Sequence, residues 1–537
     1  MTLSSVCPFL GMAVILNLVR RHGAGKPARG RRDLLTRSAK ERWMILETPP
    51  TGVNVPPEPG DPEDATPLSL SPEAMRELGY RAVDALVERW STLDEGRPWN
   101  GASRSELDER LGAAVPAPEQ GEGAAAALDA ALTRILPVAA RVDHPRFLAY
   151  IPSAPTWPSV LADFLAAGFN IFQGTWQGAS GPGHVEVEVL EWFRSWVGMP
   201  AGTSGLFTSG GSAANALALV AARESALRRV ADAESPFRPA VYFSDQAHSS
   251  LLRAARAAGI DADGIRILET GPDLRLDPDA VRRALTADLA AGFTPALVAA
   301  SAGATNTGTI DPLGALADLC AEFDVHYHVD AAYGGFAVLD EGGRKALDGI
   351  GRADSVTLDP HKWLFQPFEC GCLLVRDPTL LTRVFRVTPE YLQDTVQGEG
   401  EVNFGERGIQ LTRSFRALKV WMSVRSFGLG AFRSAVTAGI ELARASEERI
   451  RASAELEVVT PASLGIVVWQ ARTDADPEAL NRRIQEVLAG EGTALLSSTR
   501  IHGRHALRLC ILNPRLRRSD IEEIVARAEA VVREAGE

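Results

Sequence analysis

Four short stretches of the sequence hold side chains whose chemistry is complementary. Lys362 stands in Leu358-Asp359-Pro360-His361-Lys362-Trp363, at the mouth of an apolar run, where partial loss of water favours the free amine that condenses with a carbonyl. Asp330 ends the run His326-Tyr327-His328-Val329, 32 residues earlier. Its carboxylate can hold a protonated ring nitrogen, while Ala331 and Ala332 leave room for a flat ring. Thr208-Ser209-Gly210-Gly211-Ser212-Ala213-Ala214-Asn215 turns through two glycines into an Ala-rich helix, and the bare N–H groups of such a turn attract a phosphate. His248, in Ser244-Asp245-Gln246-Ala247-His248-Ser249-Ser250, offers an imidazole that can stack on a pyridine ring and guide a carboxylate. Each stretch alone has an ordinary reading: a solvated lysine, aspartate and histidine as helix caps, a tight connection capped by Ser212. Together they describe a pocket for a phosphorylated pyridine aldehyde held on Lys362 as a Schiff base, which is pyridoxal 5′-phosphate (PLP).

Such a set needs elements that bring distant positions to one edge. Between about Gly205 and Asp377, short β-rich runs alternate with helical stretches: 205–208, 240–243, 264–268, 296–299, 326–329, 355–358 and 372–375. This alternation predicts an α/β domain with a mostly parallel sheet covered by helices and ligands at the carboxyl ends of its strands. The last two runs have no long helix between them and are expected to pair antiparallel. Beyond Phe415 come a helix-rich stretch, strands near 465–471 and 506–512, and helices near 477–488 and 519–533, a small α/β carboxy-terminal domain. Ser71-Pro72-Glu73 reads as an N-cap, a first-turn proline and an acidic start for a helix through Trp90, and a second helix is expected over 124–138. The expected division is a disordered leader over 1–67, a helical segment over 68–150, a large domain over 151–414 and a small one over 415–537.

Composition narrows the function. A length of 537 residues, 45% hydrophobic and 23% charged, is that of a globular chain with a large core. A net charge of -12 argues against nucleic acid as a partner. The apolar run from Val6 to Val19 is too short to span a membrane, and its positive charges follow it. Five sparse cysteines fit reduced thiols in the cytoplasm. Cys370 and Cys372 lack a second ligand pair, so no metal is expected.

Asp245-Gln246-Ala247-His248-Ser249-Ser250, His328-Val329-Asp330-Ala331-Ala332-Tyr333 and Pro360-His361-Lys362-Trp363 resemble the motifs of the group II PLP-dependent amino-acid decarboxylases, from about Leu70 to the carboxyl terminus. The resemblance implies PLP fold type I, the aspartate aminotransferase-like fold, and a homodimer with shared active sites acting on an L-amino acid. It implies that Lys362 carries the cofactor, Asp330 pairs with its ring nitrogen and His248 stacks over the ring. Gly211 and Ser212 would bind phosphate with Ser249 and His361, while Thr305 and Ala332 line the cofactor. The segment His144 to Ser153, with Tyr150, resembles the family's substrate pocket, and Phe172 or Trp176 would reach a partner's site. Gly400 to Arg416 resembles a catalytic loop that carries a proton-donating tyrosine in many decarboxylases. An ungapped register back from Phe415 puts Phe404 there, and a phenyl ring has no proton to give. Decarboxylation to an amine is the leading expectation. An aldehyde synthase, which lets oxygen intervene, comes second because of Phe404. An aminotransferase or lyase, and a non-catalytic PLP-fold protein, follow. Tyr150, Trp157, Phe172 and Trp176 suggest an aromatic or apolar substrate.

Overall fold

The structure, a computed structural model, describes residues 68–112, 116–152, 154–230, 236–387, 398–474 and 476–536. The expected leader, including Cys7 and the apolar run near it, lies outside the described residues.

Twelve strands are present among the described residues: β1 (Phe147–Leu148), β2 (Ser204–Thr208), β3 (Pro239–Ser244), β4 (Ile265–Leu268), β5 (Thr294–Ser301), β6 (His326–Asp330), β7 (Ser355–Leu358), β8 (Gly371–Val375), β9 (Leu456–Ser463), β10 (Ile466–Ala471), β11 (Leu495–Ile501) and β12 (Arg504–Cys510). Seven form a sheet in the order β2-β8-β7-β6-β5-β3-β4. Its strands from β3 to β7 run parallel, and β8 is antiparallel to both neighbours, β2 and β7. The β7–β8 pairing is the one expected from the missing helix, whereas the β2–β8 pairing was not anticipated. Because β2 is antiparallel to β8, it runs with the parallel strands. The carboxyl ends of β2, β3, β5, β6 and β7 therefore share one edge.

Helices make that edge precise. The helix Gly211–Arg229 buries Ala214, Ala218, Ala221 and Ala222, small side chains that let it lie close over the sheet. Strands β6, β7 and β8 are buried throughout, as expected where both faces are covered. Ser71 does start the first helix, Pro72–Ser91, since its hydroxyl accepts from Ala74 N–H at 3.2 Å. The expected helix over 124–138 is broken. An α-helix over Ala124–Ala130 passes into a π turn over Ala131–Ile135 and a 3-10 turn over Leu136–Val138, where Pro137 supplies no N–H.

The second sheet has the order β1-β11-β12-β10-β9. Strands β10 and β12 match the expected runs, but β9, β11 and β1 were not recognised. Strand β9 carries Pro461 and an irregular register at the sheet edge, β11 is mostly polar, and β1 has two residues. The helix Ala417–Arg451 bends at Gly428, whose φ of 73° interrupts it. No helix among the described residues is long and apolar enough to cross a membrane.

Candidate active site

At the shared strand edge lies a cavity of about 310 Å³, lined by Gly211, Ser212, His248, Thr305, Asp330, Ala332, His361 and Lys362. All of these were expected from sequence. Asn215, Tyr333 and Asp359 also line it; all three stand inside the quoted motifs but had been given no role. Ser249 is exposed beside the cavity without lining it.

The anion end is built by β2 and the helix it feeds. Gly210 caps that helix, and no side chain bonds its first turn. A Cβ on Gly211 would stand 2.9 Å from Asp359 Oδ2 and 3.0 Å from Ala332 Cβ, so only glycine leaves the turn open. His361 flanks it. Its Nδ1 accepts from Cys370 N–H at 3.1 Å while the His361 backbone N–H donates to Cys370 O at 3.2 Å, and burial pushes the imidazole below its usual range.

Lys362 follows β7 in a tight turn, with its N–H donating to Asp359 O at 2.9 Å. Its Nζ stands 3.1 Å from Asp359 Oδ2, and the side chain is one-fifth exposed at 21%. Behind it, the fully buried Trp363 stacks on Tyr333 at 5.4 Å between ring centres, and the Tyr333 hydroxyl accepts from Gly465 N–H at 2.8 Å. The lysine is thus carried on a turn that both sheets pin down. Asp359 Oδ1 is buried with no hydrogen-bond partner.

Across the cavity, Asp330 Oδ2 accepts from Asn215 Nδ2 at 2.8 Å and Oδ1 from Ala332 N–H at 3.1 Å. His248 caps the helix Ser249–Ala257, its Nδ1 accepting from Ser250 N–H at 3.3 Å. The ordinary reading of this histidine as a cap is therefore true alongside its place on the cavity wall. Burial lowers its pKa, so the ring is neutral near pH 7. Thr305 is held from the second sheet: the buried Arg508 donates to its carbonyl, to Asn306 O at 3.0 Å, to Ser497 Oγ at 3.0 Å and to Tyr150 O at 3.2 Å.

The proposed substrate residues fare differently. Tyr150 is 68% exposed and Trp176 packs over Gly183; neither lines the cavity. Phe404 does not line the cavity either. It is 1% exposed, in the turn Phe404–Glu406, with the guanidinium groups of Arg413 and Arg407 at 5.1 and 5.5 Å from its ring centre. Arg413 is itself paired with Glu186 at 2.6 Å, and both side chains are buried. Phe404 thus packs beside a buried ion pair and is not among the residues that line this cavity.

The residues present fit PLP. The open Gly211 turn would suit a phosphate, Asp330 keeps lone pairs that would meet a ring N–H, and Lys362 would offer an amine to the aldehyde carbon. The orphaned Asp359 Oδ1 marks a wall that lacks a polar partner.

The chain is similar to known proteins along most of its length. The conserved domain of pyridoxal-dependent decarboxylases matches residues 109–472. An aromatic-L-amino-acid decarboxylase of Bacillus atrophaeus is 41% identical over 475 residues, covering 87% of this chain and 97% of that protein. A phenylacetaldehyde synthase of Arabidopsis thaliana is 30% identical over 467 residues, covering 84% and 95%. The crystal structure of Oryza sativa TDC with PLP and tryptamine superposes with a TM-score of 0.83 at 29% identity, covering 88% of this chain and 99% of that one. The chain belongs to the pyridoxal-dependent decarboxylase family, has its type I fold, and is a PLP-dependent amino-acid decarboxylase.

Proposed function

We propose that this protein converts an aromatic L-amino acid to its amine, with Lys362, Asp330 and His248 in the roles the family resemblance implies. The observation that carries the reading is the convergence of an amine, a paired carboxylate and a neutral imidazole on one cavity whose far end is an uncapped helix N-terminus. The 41% identity to an aromatic-L-amino-acid decarboxylase supports the substrate class. Bound PLP supplies the electron sink for the pair of electrons left when carbon dioxide departs. The chain's own residues do the rest. The Gly211 turn and His361 would hold the phosphate, Asp330 would face the ring nitrogen and favour its protonated form, and Lys362 would supply the amine that anchors the cofactor. His248 covers the ring and steers the substrate carboxylate. The remaining task is to return a proton to the α-carbon.

The aldehyde synthase is the second reading, favoured by relatives with that activity at lower identity. Its support within this chain is Phe404, a ring that is buried and does not line the cavity, so we place this reading second. A panel of L-amino acids, with amine, aldehyde and peroxide all measured, tests the proposal. Amine from an aromatic substrate without peroxide is expected; stoichiometric peroxide overturns it in favour of the second reading.

The protein is further proposed to act as a cytoplasmic homodimer. Phe164, Phe169, Ile409 and Phe427 expose apolar surface that a second copy would cover, and the described cysteines are unpaired and buried, as in a reducing setting. Sedimentation at micromolar concentration should give twice the chain mass.

A further inference from the structure

Asn215 lies one turn into the helix that begins at Gly211 and is 1% exposed. Its Nδ2 donates to Asp330 Oδ2 at 2.8 Å and to Ser250 Oγ at 2.9 Å. Its Oδ1 accepts from Thr357 Oγ1 at 2.6 Å and stands 3.0 Å from His328 Nε2. A carboxylate only accepts, so the amide has one orientation, with its amino group toward Asp330.

Polarity spreads from that choice. His328 must donate from Nε2, so its neutral ring accepts at Nδ1 from the Ser355 hydroxyl at 2.8 Å. Ser355 Oγ then accepts from His326 Nε2–H, also at 2.8 Å. On the other branch Ser250 Oγ accepts from Asn215, which leaves its own proton for His248 Nδ1 at 2.8 Å. The Ser250 backbone N–H points at the same nitrogen. His248 therefore carries its proton on Nε2, the nitrogen that Ser250 does not hold.

We propose that Asn215 is a positioning residue, tying the carboxylate that holds the cofactor's ring nitrogen to the imidazole that covers the ring. One amide fixes the carboxylate's rotation and the imidazole's tautomer together. The Nε2–H so presented is a donor suited to a substrate carboxylate. The proposal rests on the roles given to Asp330 and His248 above. A purely structural amide, joining the helix to β6 and β7, would leave those two groups free to adopt other states.

The test compares Asn215→Leu with wild type, titrating apoprotein with PLP and following the visible band of the bound cofactor. The expected result is affinity at least about tenfold weaker, the worth of a buried hydrogen bond to a charged group, with a displaced band. Histidine ¹⁵N spectra of the holoenzyme should also show His248 leaving its Nε2–H form. Affinity within twofold, with an unchanged band and tautomer, overturns the proposal. Where Asn215→Leu does not fold, His328 decides. His328→Leu should weaken PLP binding and His328→Gln, which keeps a donor toward Asn215 Oδ1, should restore it; weakening without restoration, or no weakening, overturns the proposal. Failure of the underlying site reading looks different: borohydride would then fix the cofactor of the wild-type protein on a lysine other than Lys362.

Discussion

The two walls of the cavity differ in how far they are finished. On the Asp330 wall both carboxylate oxygens already receive N–H donors, and the network behind them runs through Asn215 to His328, Ser355 and His326. On the Lys362 wall, Asp359 meets the lysine with one oxygen and leaves the other buried without a partner. The finished wall is preorganised, so binding need not reorient it. The unfinished wall holds Lys362, the amine proposed to carry the cofactor.

This contrast can be broken experimentally. Lys362→Ala should cost the most, lowering turnover by at least about a thousandfold and removing the visible band of bound cofactor. Borohydride reduction and peptide mapping of wild type should label Lys362; a label elsewhere would move the reactive wall. Asp330→Asn should retain some cofactor but slow turnover at least about a hundredfold, roughly 2.7 kcal/mol of barrier, because a neutral amide no longer holds the ring nitrogen protonated. An unchanged rate in single-turnover measurements would mean that another acid does so. Gly211→Ala pushes a methyl against Asp359 and Ala332 and should weaken PLP about tenfold, with a similar loss of competition by inorganic phosphate. Equal affinity for both would show that the phosphate sits elsewhere.

The finished wall also predicts a pH response. Burial depresses His328 from 6.5 to about 4, so between those values the unfolded chain binds a proton that the folded chain does not. Apoprotein stability should therefore fall as pH falls through this window, and His328→Gln should flatten the slope in urea titrations. A slope untouched by that change would assign the loss to other groups, such as His144, which burial also holds at about 4. The smallest effect concerns Phe404. Phe404→Tyr buries a hydroxyl without a ready partner and should cost about 1–3 kcal/mol of stability while leaving the amine-to-aldehyde ratio alone. A change in that ratio would restore Phe404 to the chemistry.

The same contrast explains what the sequence reveals. Lys362, Asp330, His248 and Gly211 each follow a strand-like run directly, so local pattern alone puts them at one edge of a parallel sheet. Asn215 and Asp359 stand in the same motifs, but their roles depend on which side chains face them from β6, β7 and the neighbouring helix, and no spacing in the sequence records that. Phe404 differs in that a residue count from Phe415 carries no information on packing, and Gly405 N–H pairs with Gly174 O at 2.8 Å beside its buried ring. Strands β9 and β11 lack the apolar runs that betrayed β10 and β12.

The two-residue strand β1 has a consequence for how the chain can be divided. It pairs in parallel with β11, through Phe147 with Leu495 and Leu148 with Leu496, and so closes one side of the smaller sheet with residues that precede the larger one. A polypeptide cut to begin at Phe415 would keep four strands but present the β11 backbone bare along that side. Such an edge recruits strands from other molecules. The carboxy-terminal region released by a protease would accordingly self-associate, and a short peptide spanning Arg146 to Ala149 would act as its plug.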